Sequence, residues 1–467
     1  MLLPDLPGVE GRLNERYRQL TVSHLSDAHR VAAGLRLPAS VNQPFAATQA
    51  AWRFYRNPRI RLPQLAGPLI QCARDAAAGD CQEYMPCAID FCALHYGGHD
   101  AKPERIELAH DQDLGYELLS ILALSDRDGA PLAPLCLELR AADGVHSTRW
   151  NEPRPPGSRL DRLQGLMRHT RSLSLDCKPV YLIDREADSV GHYRRWDAEK
   201  HLFVVRADEQ RLVLHEGRER KLPEVVRLLR ERGAFSEART VTFKGKPAKQ
   251  HVAQTPVVLH RPARQHRVDR RSGQRRRRDV PGAALPLRLI VSEVRDGRGR
   301  LLARWLLLSN LPASVPAATV ALWYYCRWRI ESFHKLLKGA GQQIECWQQE
   351  SAAATARRLA VASMAAVVVW RLARDASPEA AQMREVLVKL SGRQMKRGRK
   401  ARGFTEPALL AGLGVLVQAL FLLELYSVEQ LRVLARHTLP LLPKPLRPPR
   451  PRPPRPRPPL EKEVADV

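Results

Sequence analysis

Eight cysteines are scattered over 467 residues and none forms a CxxC pair. The paired knuckles of a structural zinc site are therefore missing, although Cys87 and Cys92 lie near each other. Long uninterrupted apolar runs are missing too. Leu359 to Trp370 is shorter than the ~20 residues that a bilayer requires. Leu409 to Tyr426 is longer but interrupted by Gln418 and Glu424. Both are expected to be buried helices. The opening stretch, MLLPDLPGVEGRLNERYRQ, has proline and acids where a signal peptide needs an apolar core. The expectation is a soluble, cytoplasmic chain in a reducing setting, with no membrane partner. No repeat of domain size occurs.

Acidic residues are also in short supply. There are 76 Lys and Arg against 49 Asp and Glu, a net charge of +27. The surplus recurs along the whole chain and needs an anionic partner, of which nucleic acid is the commonest. Hydrophobic residues make up 44%, enough to build real cores, so general disorder is excluded.

Residues 1–65 are helical in flavour and end in FAATQAAWRFYRNPRI, where Arg53, Arg56 and Arg59 interleave with Trp52, Phe54 and Tyr55. That mix suits phosphate contacts, or a basic helix covering its own core. A strand-rich block occupies 66–206. YMPCAIDFCALHY, GYELLSILALSD and APLCLELRAADG read as three strands. A helix (159–173), the strand KPVYLIDREAD, a helix (188–200) and the strand HLFVVRAD follow. Three strands, helix, strand, helix, strand is the order of an RNase H-like α/β layer. Residues 207–303 read as a mostly antiparallel β insertion built on ARTVTFKG, KQHVAQTPVVLH, PLRLIVSEVRD and RLLARWLLLSN. The run Arg264 to Asp279 is so basic that a solvated loop is expected there. The core resumes over 304–375 with a signature helix. A helical region (376–442), containing the basic stretch Lys396 to Gly403, and a Pro/Arg-rich tail without a core (443–467) complete the chain.

Two acids stand in suggestive places. Asp184 ends the apolar run VYLI, where open α/β sheets hold ligands; capping a following helix is the plainer explanation. Asp90 lies inside an apolar strand, where its charge requires compensation by a metal ion or a buried arginine. The segment WYYCRWRIESFHKLLKG (323–339) reads as one helix. At about 100° per residue, Tyr324, Arg327, Glu331 and Lys338 share one stripe, with Cys326, Ile330, Phe333 and Leu337 opposite. A solvated polar face laced with charge pairs has the same spacing.

Tyr324-x2-Arg327-x3-Glu331-x6-Lys338 resembles the YREK signature of the insertion sequence 4 family of DDE transposases. VYLIDREADSVGHY with FVVR resembles that family's second-aspartate block. FAATQAAWRFYRNPRI, IDFCALHYGGHDAK and DLGYEL resemble its first-aspartate region, and RWLLLS the strand before the signature helix. The resemblance covers residues 40–375 in order. It implies an RNase H-like core in which Asp90, Asp184 and Glu331 hold two Mg²⁺ ions, with Mn²⁺ able to substitute. It further implies that Tyr324, Arg327 and Lys338 hold phosphates, that Trp305 stacks a flipped base, and that Arg206 contacts DNA. The implied reaction is cut-and-paste: hydrolysis at a transposon end, a hairpin intermediate, then strand transfer. The implied partners are double-stranded DNA, as terminal inverted repeats and as target, and a second copy of the chain on paired ends. The helices after 351 are the candidate dimer surface. Such a protein works in the bacterial cytoplasm, on the nucleoid. Where the family often has Trp or Thr and then Ser or Thr after the first aspartate, Phe91 and Cys92 stand here. Glu186 and Asp188 are second choices among the acids. The competing readings are an inactive copy that only binds DNA and an RNase H-like nuclease.

Overall fold

The computed structural model describes residues 3–26, 44–109, 112–268, 275–393 and 403–438. The chain divides into two compact units, 1–417 and 418–467. The first unit opens with three helices, α1 (Gly11–Ser26), α2 (Pro44–Arg56) and α3 (Leu62–Asp80). Five strands follow: β1 (Tyr84–His95), β2 (Ile106–Glu107), β3 (Leu114–Leu124), β4 (Pro131–Ala141) and β5 (Gly144–Ser147). Next come α4 (Arg159–Ser172), β6 (Lys178–Ile183), α5 (Val190–Ala198) and β7 (Leu202–Arg206). Ser158 starts α4 by accepting a hydrogen bond from the Asp161 amide, a cap the sequence carries in its Ser-Arg-Leu-Asp.

The region expected to be a β insertion contains β8 (Leu212–His215), β9 (Arg218–Lys221), α6 (Leu222–Glu231), β10 (Ser236–Phe243) and β11 (Lys246–Leu259). It continues with β12 (Ala263–Val268), β13 (Arg275–Val280), β14 (Leu285–Arg295) and β15 (Leu301–Ser309). Helix α6 was not expected. Its buried Leu222, Val225, Val226 and Leu229 recur at helical spacing behind Pro223, a signal present in the sequence. The basic run is a correction as well. Instead of a solvated loop, β12 and β13 pair antiparallel from Ala263↔Val280 to Val268↔Arg275. A charge run argues against a buried core but not against a ladder of main-chain hydrogen bonds. Its centre, 269–274, lies outside the described residues.

Helices α7 (Ala317–Cys326), α8 (Arg329–Leu337), α9 (Ala352–Arg374) and α10 (Pro378–Leu390) follow, then α11 (Glu406–Leu425), within which the unit boundary falls. The second unit holds the end of α11 and α12 (Val428–Thr438). Both α9 and α11 are long and apolar enough to cross a membrane. The two differ in burial: 83% of the apolar window of α9 lies inside the protein, but only 28% of that of α11. The expectation of a buried helix holds for α9 but only for the start of α11, where Leu409 and Leu410 are buried; further on, Leu420, Leu422 and Leu423 are exposed. The basic stretch 396–403 lies outside the described residues except for Gly403, and the Pro/Arg tail lies wholly outside them.

One 13-stranded sheet organises the first unit, in the order β5-β4-β3-β1-β6-β7-β15-β14-β11-β8-β9, with β2 and β10 beside this path. Strand β1 pairs antiparallel with β3 and parallel with β6. Strands β6 and β7 are parallel, and β15 joins β7 antiparallel. The molecule is thus mixed α/β with a large, mostly antiparallel sheet and helices at both ends of the chain.

Register decides what each face of this sheet carries, because alternate residues point to opposite sides. Ala88 pairs with Leu182, so two residues further on Asp90 and Asp184 stand level. Ile183 pairs with Val205, so Asp184 stands level with Arg206, which in turn pairs with Leu307. Trp305, two residues from Leu307, shares that face. The other face carries Phe91, Glu117, Glu138 and Glu293 by the same alternation.

Candidate active site

Asp90 sits where β1 changes from wholly buried to half-buried residues. Asp184 is the first residue beyond β6. It accepts a 2.7 Å hydrogen bond from the Arg185 amide and caps the short 3-10 turn Arg185–Ala187. The capping explanation is therefore correct, and it fixes the carboxylate at the carboxyl end of a parallel strand. Glu331 lies in the first turn of α8.

The expected single helix over 323–339 is broken. Residues 327 and 328 separate α7 from α8, and the amides of Arg327 and Ile330 bond three residues back, to the carbonyls of Tyr324 and Arg327, at 3.1 Å each. This tightening keeps Tyr324, Arg327 and Glu331 together but turns the first two toward the sheet. Tyr324 and Arg327 are buried, and Glu331 is exposed. Cys326, Ile330, Phe333 and Leu337 are buried as expected. Lys338 lies past the end of α8. Its Nζ donates to the Ala93 carbonyl at 2.6 Å and pairs with Glu345 at 2.9 Å. It is thus placed further along β1 from Asp90, apart from the other three members of the stripe.

The guanidinium of Arg327 is where the acids meet. It lies 3.7 Å from Asp90, 3.2 Å from Asp184 and 3.5 Å from Glu331. Tyr324 points its hydroxyl at Asp184, 3.4 Å away, and Arg206 approaches the same carboxylate at 3.7 Å. Of the two forms of compensation foreseen for Asp90, a buried arginine is at hand in Arg327. Its compensation is incomplete. Burial, opposed by Arg327 and reinforced by Glu331 and Asp184, pushes the Asp90 carboxyl up to about 6. Burial holds the Tyr324 phenol well above its ordinary value. For Arg327, burial works against the charge, but Tyr324 and the three carboxylates outweigh it and the net shift is upward. Beside them His334, pushed down to about 3 by burial, is neutral and reaches Ser120, the residue opposite Asp90.

Three carboxylates converging with only partial compensation are a donor set of oxygens that suits a hard divalent cation. Among the described residues no trio of His, Cys, Asp or Glu already surrounds one point, because here the acids close on a guanidinium.

Trp305 is half-buried on β15, edge-on to Phe243 and Tyr325 at 6.5 and 6.2 Å between ring centres. One side of its indole is therefore walled by protein. Of the second-choice acids, Asp188 is structural. Its side chain is covered and is bonded by Tyr193, Arg211 and the Asp208 amide. Glu186 turns outward to Arg159 at 3.0 Å.

The residues on the opposite face escaped the sequence reading. Glu117 and Glu138, both buried, receive Arg159, Arg162 and Arg149. The ring of Phe91 lies under Arg159 and Arg162, at 4.8 and 5.5 Å. The signal was available, since GYELL and CLELR each bury one acid in an apolar strand, as IDFC does. On the N-terminal arm, Phe54 and Tyr55 are buried, Arg56 covers Trp52 at 4.4 Å, and Arg56 pairs with Glu350 at 3.0 Å. The chain matches no model of a known protein family and no curated protein.

Proposed function

We propose that the chain is a DNA transposase of the DDE type, which cuts transposon ends and joins them to target DNA. The observation that carries this reading is the convergence of Asp90, Asp184 and Glu331, far apart in sequence, within 3.7 Å of one guanidinium. The strand order β4-β3-β1-β6-β7, antiparallel then parallel through α4 and α5, fits an RNase H-like core. Strands β8 to β14 occupy the place of its insertion.

Asp90, Asp184 and Glu331 would hold two Mg²⁺ ions, or Mn²⁺, which supply Lewis acidity at the attacking and leaving oxygens of a phosphodiester. The protein's own side chains do the positioning. Arg327 restrains three like charges and can grip phosphate oxygens bidentately as a strand enters. Tyr324 stays a protonated phenol, so it donates to a phosphate oxygen rather than repelling it. Arg206 and Lys338 add point charges on either side of Asp90 and Asp184. Trp305, walled on one side, offers the indole surface on which an unpaired base stacks. A second copy on paired ends and a bacterial cytoplasmic setting belong to the same reading.

The test uses a plasmid carrying the coding region with its native flanking DNA. Purified protein with Mg²⁺ should release the element and join it to a second plasmid. Asp90→Asn and Glu331→Gln should each lower cutting by about a hundredfold or more. Cutting without joining would favour a plain nuclease. DNA binding without cutting would favour an inactive copy. Undiminished cutting by both variants would refute the site.

A further inference from the structure

We infer that Arg159, on the face of the sheet opposite the three acids, is a second phosphate clamp of the cutting site, and that Glu186 holds its place until DNA arrives. The inference rests on the transposase reading and adds a residue to it. Asp90 and its neighbour Phe91 point to opposite sides of β1. Arg159 lies across the Phe91 ring at 4.8 Å and therefore reaches the same end of the strand from behind. A small cavity of about 80 Å³ is lined by Asp90, Phe91, Asp184, Arg159 and Glu186 together. Asp90 and Asp184, two of the three acids, thus line one opening with this arginine.

The wiring of the guanidinium separates its two ends. Nε and Nη2 donate to the buried Glu117 at 3.0 and 2.7 Å, an anchor of two charge-assisted hydrogen bonds. Glu117 also holds Arg162 at 2.6 Å, so the anchor is braced on both sides. The remaining nitrogen, Nη1, bonds Glu186 at 3.0 Å, whose side chain is 71% exposed. An exposed ion pair of this kind is weak and exchangeable. A DNA phosphodiester brings the same charge and geometry with more partners, and it can replace Glu186 without disturbing the Glu117 anchor. Phe91 then has a reason to be aromatic: it supplies the flat surface over which Arg159 is held.

The experiment compares the parent chain with R159A, R159K and E186Q, using a fluorescent duplex cut from the native flanking DNA. Binding is followed across a salt series, and cutting is followed with Mg²⁺. R159A should bind about ten- to a hundredfold more weakly. Its log–log salt slope should be shallower by about 0.9, one phosphate contact. R159K should keep most of the slope, because the charge remains. E186Q should bind about two- to fivefold more tightly, because the competitor is gone. An unchanged slope in R159A, or weaker binding by E186Q, overturns the inference whatever happens to cutting. E186Q leaves the Glu117 anchor intact, so it decides the matter even if R159A folds poorly. Failure of the parent chain to cut refutes the transposase reading, while the slopes still judge Arg159. Failure of the parent chain to bind duplex DNA refutes both.

Discussion

Arg327 touches all three acids, and its removal should reveal how strongly they repel. Arg327→Ala should lower the stability of metal-free protein by roughly 1–3 kcal/mol. This is below the cost of breaking a fully buried pair, because Asp184 and Glu331 are 36% and 49% exposed. Added Mg²⁺ should then raise the melting temperature of the variant more than that of the parent, since the ion restores the lost charge balance. Equal shifts would show that the acids do not share an ion. Asp90 adds a pH dependence. Its folded value, about 6, lies above its ordinary 3.8, so the folded state binds the extra proton. In metal-free protein the neutral form is favoured, and stability from this group falls as pH rises from about 4 through 6. Asp90→Asn should remove that slope and exceed the parent by about 2–3 kcal/mol at neutral pH, with the gap closing toward pH 4. Denaturant midpoints across the range would check it. An acid inside an apolar strand made Asp90 legible in sequence. The same logic applied to Glu117 and Glu138 would have exposed the arginines of the opposite face. What sequence could not reveal is which cation answers each acid, because the partners lie up to 237 residues away, as Arg327 does from Asp90.

At the scale of elements, the spacing of the signature segment located its residues, but a uniform 100° step missed the break between α7 and α8. The break has a visible support in the turn between β3 and β4. There Trp323 donates its indole N–H to the Asp126 carbonyl at 2.8 Å, and the Cys326 thiol reaches the Asp128 carbonyl at 3.7 Å. Gly129 in this turn has φ +69°, and a Cβ on it would lie 2.2 Å from the Cys326 sulfur. Gly129→Ala should therefore cost roughly 2–4 kcal/mol through strain and overpacking combined, read as a lowered melting temperature. It should also impair cutting although it touches no acid, because α7 carries Tyr324. Unaltered stability would show that the turn yields easily. The strands of the core were legible because each is a short apolar run bounded by turn residues. Helix α6 and the β12–β13 pairing were not. Hydrophobic period was overlooked in the first, and charge masked main-chain pairing in the second.

For the whole molecule, the +27 charge predicts a DNA affinity governed by salt. With several phosphate contacts, binding should fall about a thousandfold or more between 50 and 200 mM salt. A shallow dependence would mean that the surplus charge serves something else. Composition is what suggests this partner class. It carried no information on the sheet, because which strand neighbours which depends on pairings between distant segments.

The joint between β7 and β15 has a practical meaning for anyone wishing to shorten the protein. Hydrogen bonds run without interruption from the strand that ends at Arg206 into the one that carries Trp305, so the added strands are planks of the same floor. Cutting away β8 to β14 would leave β15, which now pairs with β14, as a raw border of open amides and carbonyls, ready to stick to other chains. A trimmed version would thus be expected to precipitate before its chemistry could be measured.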